Sequence, residues 1–319
     1  MNGNTPFFSI LVPVFNRAGK LQQSMECLKN QSFEDIEIVI VDDGSTDDSY
    51  SELEDIFKGD TRVTILRHEK NSSLLAARYT AMRHAKGRYI LFMDSDDAIR
   101  TDTCQILHGV LQDKDTDLVM FGFSFEPSGR VMMPKGITDP LEDMFSGKIL
   151  SAIWKCGYSA EVIRKTVENS EGFYCNMGED SYLSTILLTY VKDFVTVEER
   201  LYFYNNEIGM SNERTHLNKA RIEKAIESML AAKHHQTEFL ASHNPEKLES
   251  TKHLHQTMFR FMIRQHVYLE EDMANAVAAL KLFDIPELSE YFEYGCNVLL
   301  PHKIKKKLGL VDNDINILE

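Results

Sequence analysis

The sequence predicts an α/β protein, a mostly parallel sheet flanked by helices and followed by a C-terminal α-helical region. Three observations carry this reading. Short apolar, partly β-branched runs alternate with segments of helical spacing from Phe7 to Met93. Acidic clusters stand directly after two of those runs, at Asp42-Asp43 and at Asp94 to Asp97. Beyond Arg214 the apolar residues keep helical spacing alone, as in Ile222, Ile226, Met229 and Leu230.

Each element follows from its residues. Phe7 to Val14 is apolar up to Pro13 and Asn16, which reads as a buried, central strand and a loop. Leu21, Met25 and Leu28 recur at helical spacing as far as Gln31, and Ile36 to Val41 is a second apolar run. Gly44 supplies a tight turn, and Ser45, Thr46 and Asp47 can cap the helix that Tyr50, Leu53 and Phe57 outline. A strand at Val63 to Leu66, a helix from Leu74 to His84 and a strand at Tyr89 to Met93 complete the alternation. Leu118 to Phe125 is a further strand, with Val131 to Pro134 as its hairpin partner. Gly178-Glu179-Asp180 precedes Tyr182, Leu183, Ile186 and Leu187, a helix with carboxylates at its positive end, and Val195 to Tyr204 reads as a last strand. Asn244-Pro245 and Ile285-Pro286 mark breaks between C-terminal helices.

Composition narrows the function. The 319 residues, 43% hydrophobic, suffice for a large core, and a formal charge of −14 argues against a nucleic-acid binder that works by neutralising phosphates. Cys27, Cys104, Cys156, Cys175 and Cys296 are odd in number and widely spaced, so a reducing cytoplasm is expected and neither a disulfide framework nor a zinc ribbon is indicated. The opening residues lack the pattern of a signal peptide, and no run approaches the roughly 20 apolar residues of a membrane span. His234-His235 and His253-x-His255 lack the spacing that sets two ligands on one helix face and are read as surface or packing residues.

The chemistry is carried by the acidic clusters. Ligands of open parallel sheets sit beyond the carboxyl ends of the strands, where both clusters fall. Asp94, Asp96 and Asp97 crowd one strand end, which raises their pKa values and calls for a partner. Hard oxygen ligands suit Mg²⁺ or Mn²⁺, ions that commonly keep positions for substrate phosphates. Taken alone, such a triplet is also compatible with helix-capping aspartates in an acidic loop.

The order of these motifs resembles the family 2 glycosyltransferases of GT-A (Rossmann-like) fold, bacterial enzymes that move a sugar from a nucleotide diphosphate to an acceptor with inversion. Ser9 to Asn16 resembles the family's opening strand, Val41 to Asp47 its nucleotide-binding turn, Asp94-Ser95-Asp96-Asp97 its metal motif and Gly178-Glu179-Asp180 the segment carrying its catalytic base. The resemblance implies a nucleotide site including Pro13, Phe15, Asn16, Asp42, Asp43, Arg78, Asp94 and Ser95. It implies a Mn²⁺ or Mg²⁺ site on Asp96 with Asp94, and Asp180 as base with Glu179 competing. Asp43 would accept the N3–H of uracil, a donor cytosine lacks, which favours a UDP-sugar, although thymine and guanine also carry a suitable N–H. Asn71 with Ala77-Arg78 is similar to the family's N-x-G-x-x-x-A-R-N segment, although Ser73 and Tyr79 depart from it. Arg78 would bind a diphosphate or brace an aspartate. Trp154 and Lys155 resemble residues that line the acceptor side. Tyr202-Phe203-Tyr204 with Ser211 resembles the closing segment, with Asn205 where an arginine is common.

The implied organisation is a catalytic domain over 1–214, its nucleotide-sugar half about 1–97 and its acceptor half about 98–214, with a helical region over 215–319. The Q-x-x-R-W motif of processive synthases is absent, which favours transfer of a single sugar to a glycan or lipid-linked glycan, in bacterial surface polysaccharide synthesis. The lysine run His302 to Leu308 beside Val298, Leu299 and Leu300 suggests peripheral contact with an anionic membrane at its cytoplasmic face. Two other readings stay open. A nucleotidyltransferase would want a glycine-rich phosphate loop after the first strand, where Asn16-Arg17-Ala18-Gly19-Lys20 stands, and a non-catalytic nucleotide-sugar binder would not need Asp96 and Asp180.

Overall fold

The computed structural model describes residues 5–205, 219–255 and 257–258. Strand β1 (Phe8–Val14), helix α1 (Leu21–Lys29), β2 (Ile36–Asp42), α2 (Ser49–Ile56), β3 (Val63–Arg67), α3 (Leu74–His84) and β4 (Tyr89–Phe92) follow the expected alternation. Then come β5 (Ala98–Ile99), α4 (Thr103–Leu111), β6 (Leu118–Glu126), β7 (Arg130–Met132), α5 (Pro140–Phe145), β8 (Cys156–Ser159), α6 (Ala160–Asn169), α7 (Glu179–Thr189), β9 (Phe194–Asn205) and α8 (Lys219–His243).

One sheet runs in the order β3, β2, β1, β4, β8, β6, β9, β5, with β7 beside β6. The first four strands are parallel, β1 lying between β2 and β4. Past β4 the sheet is mixed: β8 runs antiparallel to both β4 and β6, while β6 and β9 are parallel. All seven residues of β1 are buried, with Ile10, Leu11 and Val12 fully so, because helices cover both faces of the parallel half. Each such side chain contributes about 1.5–3 kcal/mol on leaving water.

The ends of these strands make room for a site. Pairing of β1 with β4 stops at Leu11 opposite Phe92, whereas β1 and β2 stay paired to Val14 opposite Asp42. Pro13 has no N–H to donate, and it falls where β4 has already ended, so the interior strand tolerates it. The gap beyond β4 is bordered by Asp94 to Asp97 and by the end of β9, which pairs with β5.

α8 packs against α7, with Ala232, Phe239 and Leu240 buried. His255 is buried and its Nε2 lies 2.6 Å from Gln236 Oε1, and His235 stacks on Phe173 at 4.1 Å, the packing roles expected of both. Among the described residues no helix is long and apolar enough to cross a membrane. Ser211, the Ile285-Pro286 break and the lysine run at 302–308 lie outside the described residues.

Candidate active site

Arg78 is the hub of the site. It is 1% exposed on α3, yet its guanidinium reaches three carboxylates from distant parts of the chain: Nη2 donates to Asp94 Oδ1 at 2.9 Å, and Nη1 to Asp180 Oδ1 at 2.6 Å and Glu179 Oε1 at 3.3 Å. Burial works against its charge, but Asp180, Asp94 and Glu179 together push its pKa above the usual range. Of the two roles left open for Arg78, this geometry is the brace. It ties the acidic strand end to the first turn of α7.

The acidic motif is held on two further sides. Asp96 Oδ2 accepts from Arg17 Nη2 at 2.8 Å. Burial pushes the Asp96 carboxyl up to about 6, Asp94 adding to the effect and Arg17 opposing it. Asp97 is buried and takes the Tyr202 hydroxyl at 2.6 Å and the Asn205 amide at 2.7 Å. Burial first, then Asp94 and Asp96, raises its pKa well above the ordinary value. The Tyr202 hydroxyl also accepts from the Asp94 amide at 3.1 Å, so one phenol fixes both ends of the motif. Ser95 is buried between them.

Glu179 and Asp180 open α7 behind Gly178, whose φ of +86° suits a residue without Cβ. Burial drives Glu179 up to about 7 with help from Asp180; Asp180 is itself raised by burial, against the pull of Arg78. The Asp180 side chain keeps 29% of its surface exposed, against 11% for Glu179, so Asp180 is the carboxylate of the pair open to the cleft. Lys155 is 6% exposed, and burial lowers its pKa while Asp180 counteracts.

The turn after β2 is bonded differently from what the sequence suggests. The four lone-pair positions of Asp43 are filled from its own surroundings: His68 Nδ1 lies 2.6 Å and the Ser72 amide 2.9 Å from Oδ1, and Asn71 Nδ2 and the Ser73 amide each lie 2.9 Å from Oδ2. A base N–H reaches that carboxylate only by displacing one of them. Asp42 is fully buried, with Arg67 Nε 3.1 Å from Oδ2 but not aligned as a hydrogen bond, and the Ser45 amide 3.4 Å from Oδ1. The loop after β1 closes on this turn. Successive amides of Asn16, Arg17, Ala18 and Gly19 donate to Ser45 Oγ, Ser49 Oγ, Asp47 Oδ2 and Glu52 Oε2 at 2.6–3.1 Å, and Asn16 Oδ1 accepts from the Thr46 amide. Phe15 is 39% exposed beside them.

Trp154, expected on the acceptor side, is largely buried among aromatic rings. It is 4% exposed and stacks on Tyr202 at 4.5 Å and Tyr204 at 5.3 Å, with Phe123 edge-on at 4.8 Å. Its ring is packed against that of Tyr202, and a large aromatic gains from such burial.

Among the described residues no group of three or more His, Cys, Asp or Glu side chains is arranged to hold a metal ion. Asp94 meets Arg78 through Oδ1, however, and Asp96 meets Arg17 through Oδ2, so each carboxylate has a second oxygen to offer. Two carboxylate oxygens at a strand end fit Mg²⁺ or Mn²⁺ of the kind completed by water and substrate phosphates rather than by a full protein cage.

Sequence reasoning missed Arg17 as partner of Asp96 and His68 as partner of Asp43. The sequence named Tyr202, but nothing in it linked the hydroxyl to Asp97, 105 positions away.

Comparison with known proteins gives this arrangement a class. The fold is similar to the crystal structure of S. aureus TarS 1-349, with a TM-score of 0.59 at 15% identity over 91% of this chain and 78% of that one. It is also similar to the mannosyltransferase PcManGT from Pyrobaculum calidifontis in complex with GDP-Man and Mn²⁺, with a TM-score of 0.53 at 16% identity over 97% and 84% of the two chains. The class is therefore the GT-A fold. Residues 9–160, just under half of the chain, match the family model described as glycosyl transferase family 2. Among curated proteins it is 34% identical over 170 residues to a putative glycosyltransferase, EpsH of Bacillus subtilis, covering 50% of this chain and 48% of that protein. It is 29% identical over 172 residues to EpsJ of the same organism, covering 50% of each. The chain spans about half the length of the curated relatives it matches.

Proposed function

We propose that the chain is a metal-dependent inverting glycosyltransferase that moves one sugar from a nucleotide diphosphate donor to the hydroxyl of a glycan or lipid-linked glycan in bacterial surface polysaccharide synthesis. The observation that carries this is the Arg78 guanidinium shared by Asp94 and Asp180, which joins the metal motif and the proposed base in one cleft. Residues 1–214 are assigned to catalysis and 215–319 to the helical region.

The roles follow from the contacts. Asp94 and Asp96 would hold a Mn²⁺ or Mg²⁺ ion, which supplies positive charge to the departing diphosphate. Asp180, with its exposed oxygen, accepts the proton of the acceptor hydroxyl as that oxygen attacks the anomeric carbon from the face opposite the leaving group. Burial raises its pKa against the pull of Arg78, which makes it a stronger base than an exposed aspartate. Glu179 is more deeply buried, and its proton is favoured up to about pH 7, so it keeps Arg78 from being overwhelmed by negative charge rather than competing as base. Asp42 and Asp43 shape the base pocket. A uracil N3–H would take the place of the Asn71 amide on Asp43, which is the one side-chain amide among its four donors. A UDP-sugar is favoured on this ground, and TarS 1-349 is known in complex with UDP-GlcNAc.

A nucleotidyltransferase is disfavoured by a specific observation. A triphosphate cradle needs free backbone amides after the first strand, and here four in succession are occupied by side chains of the next turn.

The test is a panel of UDP-, GDP- and dTDP-sugars, watched for release of the nucleoside diphosphate, with calorimetric titration of UDP in the presence and absence of Mn²⁺. Release from a UDP-sugar and tighter UDP binding with Mn²⁺ are expected. Equal affinity in both conditions removes the metal role, and no release from any donor overturns the reading.

A further inference from the structure

We propose that Ser228 of α8, beyond the segment matched by the family model, is a positioning residue that locks the turn preceding Glu179-Asp180. The proposal rests on the transferase reading for its catalytic consequence and on geometry alone for the lock.

The turn over residues 173–178 has no regular partner strand, so its amides need other acceptors. Ser228 Oγ, on a residue 8% exposed, accepts from two consecutive amides, Asn176 at 2.9 Å and Met177 at 3.0 Å, and lies 3.4 Å from Cys175 Sγ. One hydroxyl thus satisfies two consecutive amides of a turn that has no strand partner. The next residue, Gly178, is pressed on Met229 and Ala232 of the same helix and on Met258 beyond it. A Cβ there would stand 2.8 Å from Met258 Cε, 3.3 Å from Ala232 Cβ and 3.6 Å from Met229 Cα. On its other side the turn is bonded to the start of α3: the Leu74 amide donates to Asn176 Oδ1 at 2.8 Å, the Leu75 amide to Cys175 O at 3.2 Å and Ser73 Oγ to Phe173 O at 3.2 Å. The turn is held between α3, which carries Arg78, and α8. Its far end is the first turn of α7, where Asp180 meets that arginine at 2.6 Å. A small displacement at 176–178 therefore moves the Asp180 oxygen relative to the acceptor, and an error on the order of 1 Å in such a group can cost about 10²-fold in rate.

A purely structural serine would act on stability and on donor binding as much as on turnover. A positioning serine acts on turnover more than on donor binding, because the residues assigned to the donor, on or just after β1, β2 and β4 and at Arg78 of α3, make no bond to α8 among the described residues.

The experiment uses the full chain with Ser228→Ala and Ser228→Thr. Amide hydrogen exchange at Asn176 and Met177 is expected to accelerate at least tenfold in Ser228→Ala and to return near the parent rate in Ser228→Thr, which keeps the hydroxyl. Turnover, read as nucleoside diphosphate release from the UDP-sugar, is expected to fall at least tenfold in kcat for Ser228→Ala. The UDP dissociation constant should stay within twofold, and Ser228→Thr should restore kcat to within about threefold. Unchanged exchange overturns the lock whatever the activity. Faster exchange with kcat unchanged, or with UDP affinity falling in step with kcat, overturns the positioning role. A parent chain inactive on every nucleotide sugar overturns the transferase reading and the catalytic use of the lock together, while exchange still decides the lock itself. Should Ser228→Ala fail to fold, Ser228→Cys, which offers a much weaker acceptor on a similar frame, replaces it with the same expected directions.

Discussion

At the scale of single residues the site is a contest between burial and charge. Asp180→Asn keeps the shape and removes the proton acceptor, so transfer should fall by about 10²–10⁴-fold while the UDP dissociation constant changes little; steady-state kinetics with calorimetry checks both. Glu179 gives the opposite kind of test. Its folded pKa, about 7, stands above the ordinary 4.5, so the fold prefers the neutral acid. The sign follows directly: that preference is fully present below pH 4.5 and is lost as pH rises through 7. Glu179→Gln should therefore stabilise the protein above pH 7, by up to about 3 kcal/mol, and give no gain near pH 4.5, as denaturant titrations at the two pH values would reveal. The aspartates themselves were legible in the sequence because two acidic clusters fall together after predicted strands, in the order of a known set of motifs. Their partners were not. Arg78 meets Glu179 and Asp180 across 101 and 102 positions, and no local spacing encodes such a pairing. Trp154 is ambiguous for a related reason, since a lone tryptophan carries the same sequence signal whether it lines a cleft or packs among other aromatics.

At the scale of elements the alternation from β1 to β4 was readable almost to the residue, because period and length both act locally. The insertion of β8 between β4 and β6 was not. Cys156–Ser159 is four residues long and shows no alternation, and it is a strand only because Leu91 and Val119 hold it from both sides at Gly157, where a Cβ would come within 2.9 Å of each. The turn after β2 shows the same dependence on a distant contact. Gly44 has φ +68°, and a Cβ there would lie 2.5 Å from the Lys70 carbonyl carbon, a backbone atom that cannot swing aside. Gly44→Ala should cost more than about 1 kcal/mol of stability. By pushing residues 70 and 71 away it should also loosen the Asn71 contact to Asp43 and weaken UDP binding, which melting temperature and calorimetry would register together.

At the scale of the whole molecule an excess of 14 negative charges faces a donor that is itself an anion. Without a divalent cation, UDP binding should strengthen as salt rises from about 0.01 to 0.15 M, because the Debye length shrinks from roughly 30 to 8 Å and repulsion is screened. With Mn²⁺ present the trend should weaken or reverse, and calorimetry at the two salt levels distinguishes these. α7, which carries Asp180, and α8 both lie beyond the family match and share a core. The stitching of residues 16–19 onto residues 45–52 has a kinetic consequence. A donor meets a surface whose backbone is already set, so little chain entropy remains to be surrendered on arrival. Capture of the nucleotide should then proceed in one fast, concentration-proportional phase, without a slow rearrangement trailing behind it.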